Sequence, residues 1–129
     1  MESTQELINK SETRIFKAIF PNTTNHYNTL FGGTALHMMD EASFICATRF
    51  SRKKVVTIST DKIDFEKPIP EGTIIELVAR VHKVGNTSCT VKVDIYMEHM
   101  HNYKRELTVT GYFKFVAVNA QMKPISILG

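Results

Sequence analysis

One stretch of helical periodicity, followed by a long run of period-two alternation, most constrains how this chain can fold. Over residues 33–49, Leu36, Met39, Ser43 and Cys46 share one side of a helix, and Ala35, Met38, Ala42, Ile45 and Arg49 a neighbouring side. Gly32 and Gly33 mark its entry, and Thr34 is the expected cap. Apolar around most of its circumference, this helix is predicted to be buried. From residue 54 the period becomes two. Segment 54–66 alternates through Val56 and Ile58, then through Ile63 and Phe65. The flip in parity near Asp61 predicts a bulge or bend. Pro68, Pro70 and Gly72 end the segment. Residues 73–84, 87–97 and 104–118 read as three further strands, with turn signals at Gly85-Asn86 and His101-Asn102. Ahead of the helix, 13–20 reads as a short strand and 21–28 as loop. Residues 1–12 read as a loosely ordered polar start with room for a short helix.

Three successive antiparallel strands need apolar cover on one face, and the helix is the candidate for it. About 16 helical residues span roughly 24 Å, and an 11-residue strand roughly 36 Å. A curved sheet can therefore wrap one helix, which makes the fold class α+β. A single helix covers only the middle of such a sheet, so self-association is expected. Residues 1–129 fit one domain, with about two thirds of the unfolded surface buried.

The formal net charge of +3 favours a polyanionic small molecule but falls short of a nucleic-acid-binding stripe. The dense run Arg52-Lys53-Lys54 reads as a solvated loop before a phosphate contact. Cys46 and Cys89 lie in apolar stretches without metal-ligand spacing, which predicts free thiols in a reducing compartment. The N-terminus lacks the apolar core of a signal peptide, and no stretch suffices for a membrane helix. A cytoplasmic protein is expected. His99-x-His101 reads as a solvated turn before a zinc pair, and no metal is expected. Nucleophile-elbow, dinucleotide and phosphate-loop motifs are lacking.

Asp40 is the residue that needs explaining, because it interrupts the apolar run Leu36, Met38, Met39, Ala42, Phe44 and Ile45. A buried carboxylate is costly unless paired or functional. It reads as a partly exposed acid, as one paired with His37, or as a catalytic base or nucleophile in a partly dry pocket. Likewise, Gly32-Gly33 is either a tight turn or a helix start whose N–H groups hold an oxyanion.

NHYNTLFGGTALHMMDEASFICATR, followed by VVTISTDKIDFEKPIPEGTIIELVARVHKVGNTS, resembles the small cytosolic acyl-CoA thioesterases of the hotdog fold. The resemblance runs from about Asn25 to Val118 and is most specific at Phe31-Gly32-Gly33, Met39-Asp40-Glu41 and Asp64–Pro68. It implies a helix wrapped by a curved sheet, a double-hotdog dimer often assembled as a trimer of dimers, and sites shared between subunits. It implies Asp40 as base or nucleophile, Asn25 acting across the interface, Thr57 completing the set, and the Gly33 N–H holding the oxyanion. No cofactor is implied, since coenzyme A is part of the substrate. Arg80, Lys83, Gly85, Asn86, Thr87 and Ser88 are similar to the family's strand-turn-strand segment that contacts the CoA moiety. Gly32 is expected beside the substrate, and Lys67, ahead of Pro68, reads as a secondary phosphate contact. Gly85–Ser88 equally reads as a plain hairpin turn. The chain departs from the family at Asn28, where glycine is usual. Asparagine tolerates the left-handed backbone there, and Asn28 becomes a rival to Asn25 for the thioester. The alternatives are an acyl-carrier-protein thioesterase, a dehydratase (whose catalytic histidine His37 does not match in position) and a non-catalytic acyl-CoA-binding domain.

Overall fold

Two helices and five strands follow in the order α1 (Thr4–Ser11), β1 (Thr13–Ala18), α2 (Gly32–Ser51), β2 (Val55–Phe65), β3 (Thr73–Val84), β4 (Ser88–His99) and β5 (Arg105–Ala117). The computed structural model describes residues 2–21 and 24–129. All five strands form one antiparallel sheet in the order β1-β3-β4-β5-β2. β3, β4 and β5 are a meander joined by short turns, while β1 and β2 take the two edges. Alternation puts Ile75, Leu77, Val91, Val93, Ile95, Phe113 and Phe115 on one face, where they bury against Ala35, Met39, Ala42, Cys46 and Phe50 of α2. This is the hotdog arrangement that the resemblance implied.

The helix starts one residue earlier than expected. Phe31 is the N-cap, without a side-chain bond, and the Ala35 N–H donates to its carbonyl at 2.9 Å. Thr34 is therefore the third helical residue, not the cap. At the other end Arg52 is left-handed at φ 56, and its N–H closes the last turn on the Thr48 carbonyl.

Within the polar start, Thr4–Ser11 form the short helix for which the sequence left room. Ser3 Oγ accepts from the Glu6 N–H and caps α1. Its C-terminal carbonyls find a partner far along the chain. Arg49 donates to the carbonyls of Lys10 and Glu12 and to Thr13 Oγ1, each at 2.9 Å. These charge-assisted bonds are worth about 2 kcal/mol to the docking of α1. Arg49, read from periodicity as part of an apolar side, is a clamp between the two helices.

The expectation of a buried helix holds for one side only. Ala35, Met39, Ala42, Cys46 and Phe50 are buried, whereas Leu36, His37, Asp40, Glu41 and Phe44 are exposed. One sheet can cover only one side of a helix, and among the described residues of a single chain nothing covers the other.

β2 has two irregularities, between Thr57 and Ser59 and between Asp61 and Asp64. The second is the bulge predicted near Asp61. The first was not foreseen, and it changes which residues face the helix. Residues three apart in a regular strand point to opposite faces. Here the extra residue lets Thr57 pair with Phe115 and Thr60 with Phe113, so both threonines face inward. Ile58, expected inside, is 52% exposed. Opposite, Gly111 of β5 leaves room for α2. A methyl group there would collide with Ile63 Cδ1 and stand 2.9 Å from Met39 Cε. Met39 is fully buried, so this close approach helps fix the height of the next residue, Asp40, above the sheet.

Candidate active site

Gly33, Leu36, His37 and Asp40 fall at i, i+3, i+4 and i+7, which is one face of α2. With Thr57 and Thr60 of β2 and Phe113 of β5 they line a cleft of about 410 Å³. Three of the four residues expected to be catalytic, Gly33, Asp40 and Thr57, are thus brought together by the fold. The N–H groups of Gly32, Gly33 and Thr34 precede the first intrahelical bond and remain free of intrahelical carbonyl partners. At Gly33 a side chain would meet nothing within 4 Å, so a ligand atom has open access to that N–H. The helix dipole adds partial positive charge at this end. Side chains on a helix lean toward its N-terminus, which brings the Asp40 carboxylate back toward the glycines.

Asp40 is exposed in the single chain, a correction to the buried carboxylate expected from its neighbours. The reason is the uncovered side of α2. Its carboxylate has no ion pair or hydrogen bond among the described residues, and none joins it to His37. The proposed pairing of those two in the fold is therefore not what holds Asp40. Leu36, Thr60 and Phe113 belong to the cleft but carried no signal in the sequence. Thr60 depended on an unforeseen bulge, and Phe113 reads as ordinary core.

Asn25 is not among the residues lining this cleft. Its Oδ1 accepts from the N–H groups of Tyr27 and Thr29 and from Thr29 Oγ1, at 2.9, 3.2 and 3.1 Å. The oxygen therefore caps its own loop, and the NH₂ is the end left for a partner elsewhere. Asn28 is exposed and left-handed at φ 62, the conformation anticipated for a residue at a customary glycine position. Its backbone carbonyl accepts from the Glu71 N–H, so it too serves the turn.

The residues matched to CoA contacts are spread over several places. Gly32 lines a second cavity of about 270 Å³ with Phe65, Lys67 and Pro68. Lys67 there pairs with Glu106 at 3.3 Å. Arg80 lies on the outer sheet face, bonded to Asn9 Oδ1 at 2.6 Å and near Glu12 at 3.8 Å. Lys83 lines a separate outer cavity. In the hairpin, the Gly85 N–H donates to the Ser88 carbonyl, while the carbonyls of Asn86 and Thr87 accept from Ile127 and Ala117. Those backbone groups tie the hairpin to β5 and to the C-terminal tail.

Cys46 and Cys89 are free and buried, and burial pushes their thiols up to about 11 and about 12. Among the described residues no group of three or more His, Cys, Asp or Glu could hold a metal. Among the same residues no helix is long and apolar enough to cross a membrane.

Comparison with known proteins places these features in context. Residues 27–104 match the model of the thioesterase superfamily. An uncharacterised acyl-CoA thioester hydrolase of Bacillus subtilis is 37% identical over 118 residues, which is 90% of this chain and 69% of that protein. The first four curated relatives matched are spanned over 58 to 85% of their own length. Among solved structures, a Staphylococcus aureus acyl-CoA hydrolase in complex with butyryl coenzyme A, coenzyme A and coenzyme A disulfide is 38% identical. It superposes with a TM-score of 0.90 over 95% of this chain and 74% of that one. An apo-hexameric acyl-CoA thioesterase is 32% identical with a TM-score of 0.89, over 92% of this chain and 76% of that one.

Proposed function

The chain belongs to the thioesterase superfamily, and from that premise we propose that it hydrolyses acyl-CoA to a free carboxylic acid and CoA. The observation that carries this reading is the single cleft holding Gly33, Asp40 and Thr57. A thioester carbonyl oxygen at the helix start receives the Gly33 N–H as charge develops on it. Asp40 then acts on the carbonyl carbon, either by removing a proton from an attacking water or by direct attack. In the water route the tetrahedral intermediate collapses, the C–S bond breaks, and the CoA thiolate takes the proton that Asp40 removed. In the attack route breaking the C–S bond leaves an acyl–Asp40 anhydride. Water hydrolyses it to the free acid and the Asp40 carboxylate, the released proton going to the thiolate. Thr57 faces the same space and is positioned to hydrogen-bond the water or the carboxylate.

A second copy of the chain completes the site. Leu36 and Phe44 lie at steps of four around Asp40, and Phe44 is 45% exposed, with the apolar Ile58 and Phe65 on the β2 edge 52% and 55% exposed. Covering this surface dries the cleft, and the partner's loop supplies the Asn25 amide. The hexameric relatives support a further association of three such dimers. Two free buried thiols agree with a cytoplasmic location.

His37 lines the cleft beside Asp40 and is the observation that favours a dehydratase as the second reading. A screen of acyl-CoA substrates of graded chain length, read by thiol release, decides between them. The chain's own buried thiols should contribute no fast background. Release of CoA from at least one length is expected. No release from any acyl-CoA, with loss of water from a 3-hydroxyacyl-CoA instead, overturns the hydrolase reading.

A further inference from the structure

Hydrolysis of a thioester in the cleft creates negative charge twice, first on the carbonyl oxygen and then on the departing sulfur. The helix start answers the first through the Gly33 N–H. The second needs a partner of its own. Asp40 is itself an anion, Thr57 and Thr60 are neutral, and Leu36 and Phe113 are apolar. Among the described residues lining the cleft, His37 alone can carry positive charge. A thiolate shed against an apolar wall without a proton or a cation is costly.

Helical spacing places His37 for that task. It follows Gly33 by four residues and precedes Asp40 by three, so the three share one face of α2 with His37 in the middle. From the helical rise, its Cα lies about 6 Å along the axis from Gly33 and about 4.5 Å from Asp40. Side chains lean toward the helix N-terminus, so the imidazole leans over the open space above Gly33. The ring is exposed in the single chain and makes no hydrogen bond, ion pair or ring contact among the described residues. Glu41, at i+4, is exposed as well and forms no salt bridge with it. From β2 and β5 the ring is faced by Thr57, Thr60 and Phe113, none of them charged. Both ring nitrogens are therefore open to a ligand. Once a second copy covers Leu36 and Phe44 around it, the imidazole loses water and needs a polar partner.

Resting on the hydrolase reading, we propose that His37 protonates the leaving sulfur and is recharged by Asp40. In the water route Asp40 takes a proton from the attacking water. As the tetrahedral intermediate collapses, the C–S electron pair moves to sulfur, and the His37 imidazolium gives its N–H proton there. CoA leaves as the neutral thiol, and the ring is left neutral. The Asp40 carboxylic acid then passes its proton to His37, which restores both the carboxylate and the imidazolium. In the attack route, the water that hydrolyses the anhydride supplies the proton that recharges His37. Either way one water is consumed, and the acid product ionises into solvent. An imidazole is more basic than a carboxylate and less basic than a thiolate, so each transfer runs downhill.

Steady-state kinetics of a His37→Gln variant on two thioesters of the same acyl group test the role. With acyl-CoA, kcat should fall about 10²-fold, the low end for loss of a general acid, with KM nearly unchanged. With a nitrophenyl thioester, whose thiol is acidic enough to leave unaided, kcat should change by less than about threefold. A merely structural role would lower both alike. Imidazole added to a His37→Ala variant should restore part of its turnover of acyl-CoA. The ring is exposed and unbonded among the described residues, so both variants should fold, which a thermal melt checks. Equal loss on the two esters, no loss on acyl-CoA, or no recovery with imidazole overturns the proposal while the hydrolase reading stands. No hydrolysis of any acyl-CoA by wild type overturns that reading, and the proposal with it.

Discussion

Replacing Asp40 with alanine should lower kcat by about 10²–10⁴-fold, the range expected when a positioned acid–base group is lost, and should leave the protein folded. The second half of that expectation comes from the structure. The Asp40 carboxylate is exposed and makes no ion pair or hydrogen bond among the described residues, so its removal should shift stability by less than about 0.5 kcal/mol. Its backbone carbonyl, which accepts from Ser43 Oγ at 2.9 Å, is unaffected by the substitution. Activity and fold are thus separable at this position. Steady-state kinetics on acyl-CoA, with a thermal melt of the same sample, checks both. A folded Asp40→Ala protein with activity within tenfold of wild type would refute the role given to this residue.

The second large effect concerns the origin of Asn25. An alanine there would remove the amide and also the loop cap that Oδ1 provides to Tyr27 and Thr29. Asn25→Asp keeps an acceptor for those bonds and deletes the NH₂, so it is the cleaner variant. Alone, it should be nearly inactive. Mixed with Asp40→Ala protein and allowed to exchange subunits, it should regain activity. If each site takes Asn25 from one subunit and Asp40 from its two-fold mate, a mixed dimer holds one intact site and one doubly impaired site. Random reassortment makes half the dimers mixed, so recovery should reach about a quarter of wild type. Absence of recovery after exchange verified by mass spectrometry would place both groups in the same subunit, or remove Asn25 from the chemistry.

Much of this architecture was legible from periodicity, because β3, β4 and β5 bury one face and keep the other wet. Their spans follow from the sequence to within two residues, and the helix to within two. β2 resisted the same treatment for a physical reason. Its side chains are mostly exposed, and its register is set by pairing with β5 rather than by hydrophobic alternation. The exchange of Ile58 for Thr57 and Thr60 on the inner face therefore could not be read from polarity. Arg49 was misread because its partners, the carbonyls ending α1, lie almost forty residues away. The C-terminal tail carried no periodic signal, yet it buries Ile127 and bonds to Asn86. Of the site, Asp40 and the glycines were visible as anomalies in an apolar helix. The exposure of Asp40 was not visible, since it depends on whether a second chain is there to cover it.

The sheet order has a consequence for the time course by which the cleft comes into being. Strands β3, β4 and β5 are adjacent in both sequence and space, so their pairing closes only short loops. Pairing Thr13 with Ala79, or Val55 with Ala117, closes loops of about sixty residues and costs more chain entropy. We expect the meander to form early and the two edges to dock late, bringing α2 down between them. Pulsed hydrogen exchange during refolding should show amides of β4 protected before those of β1 and β2, and the reverse order would contradict this. Asp40 rides on α2 and Thr57 on a late edge, so refolding intermediates should be rich in sheet and devoid of turnover.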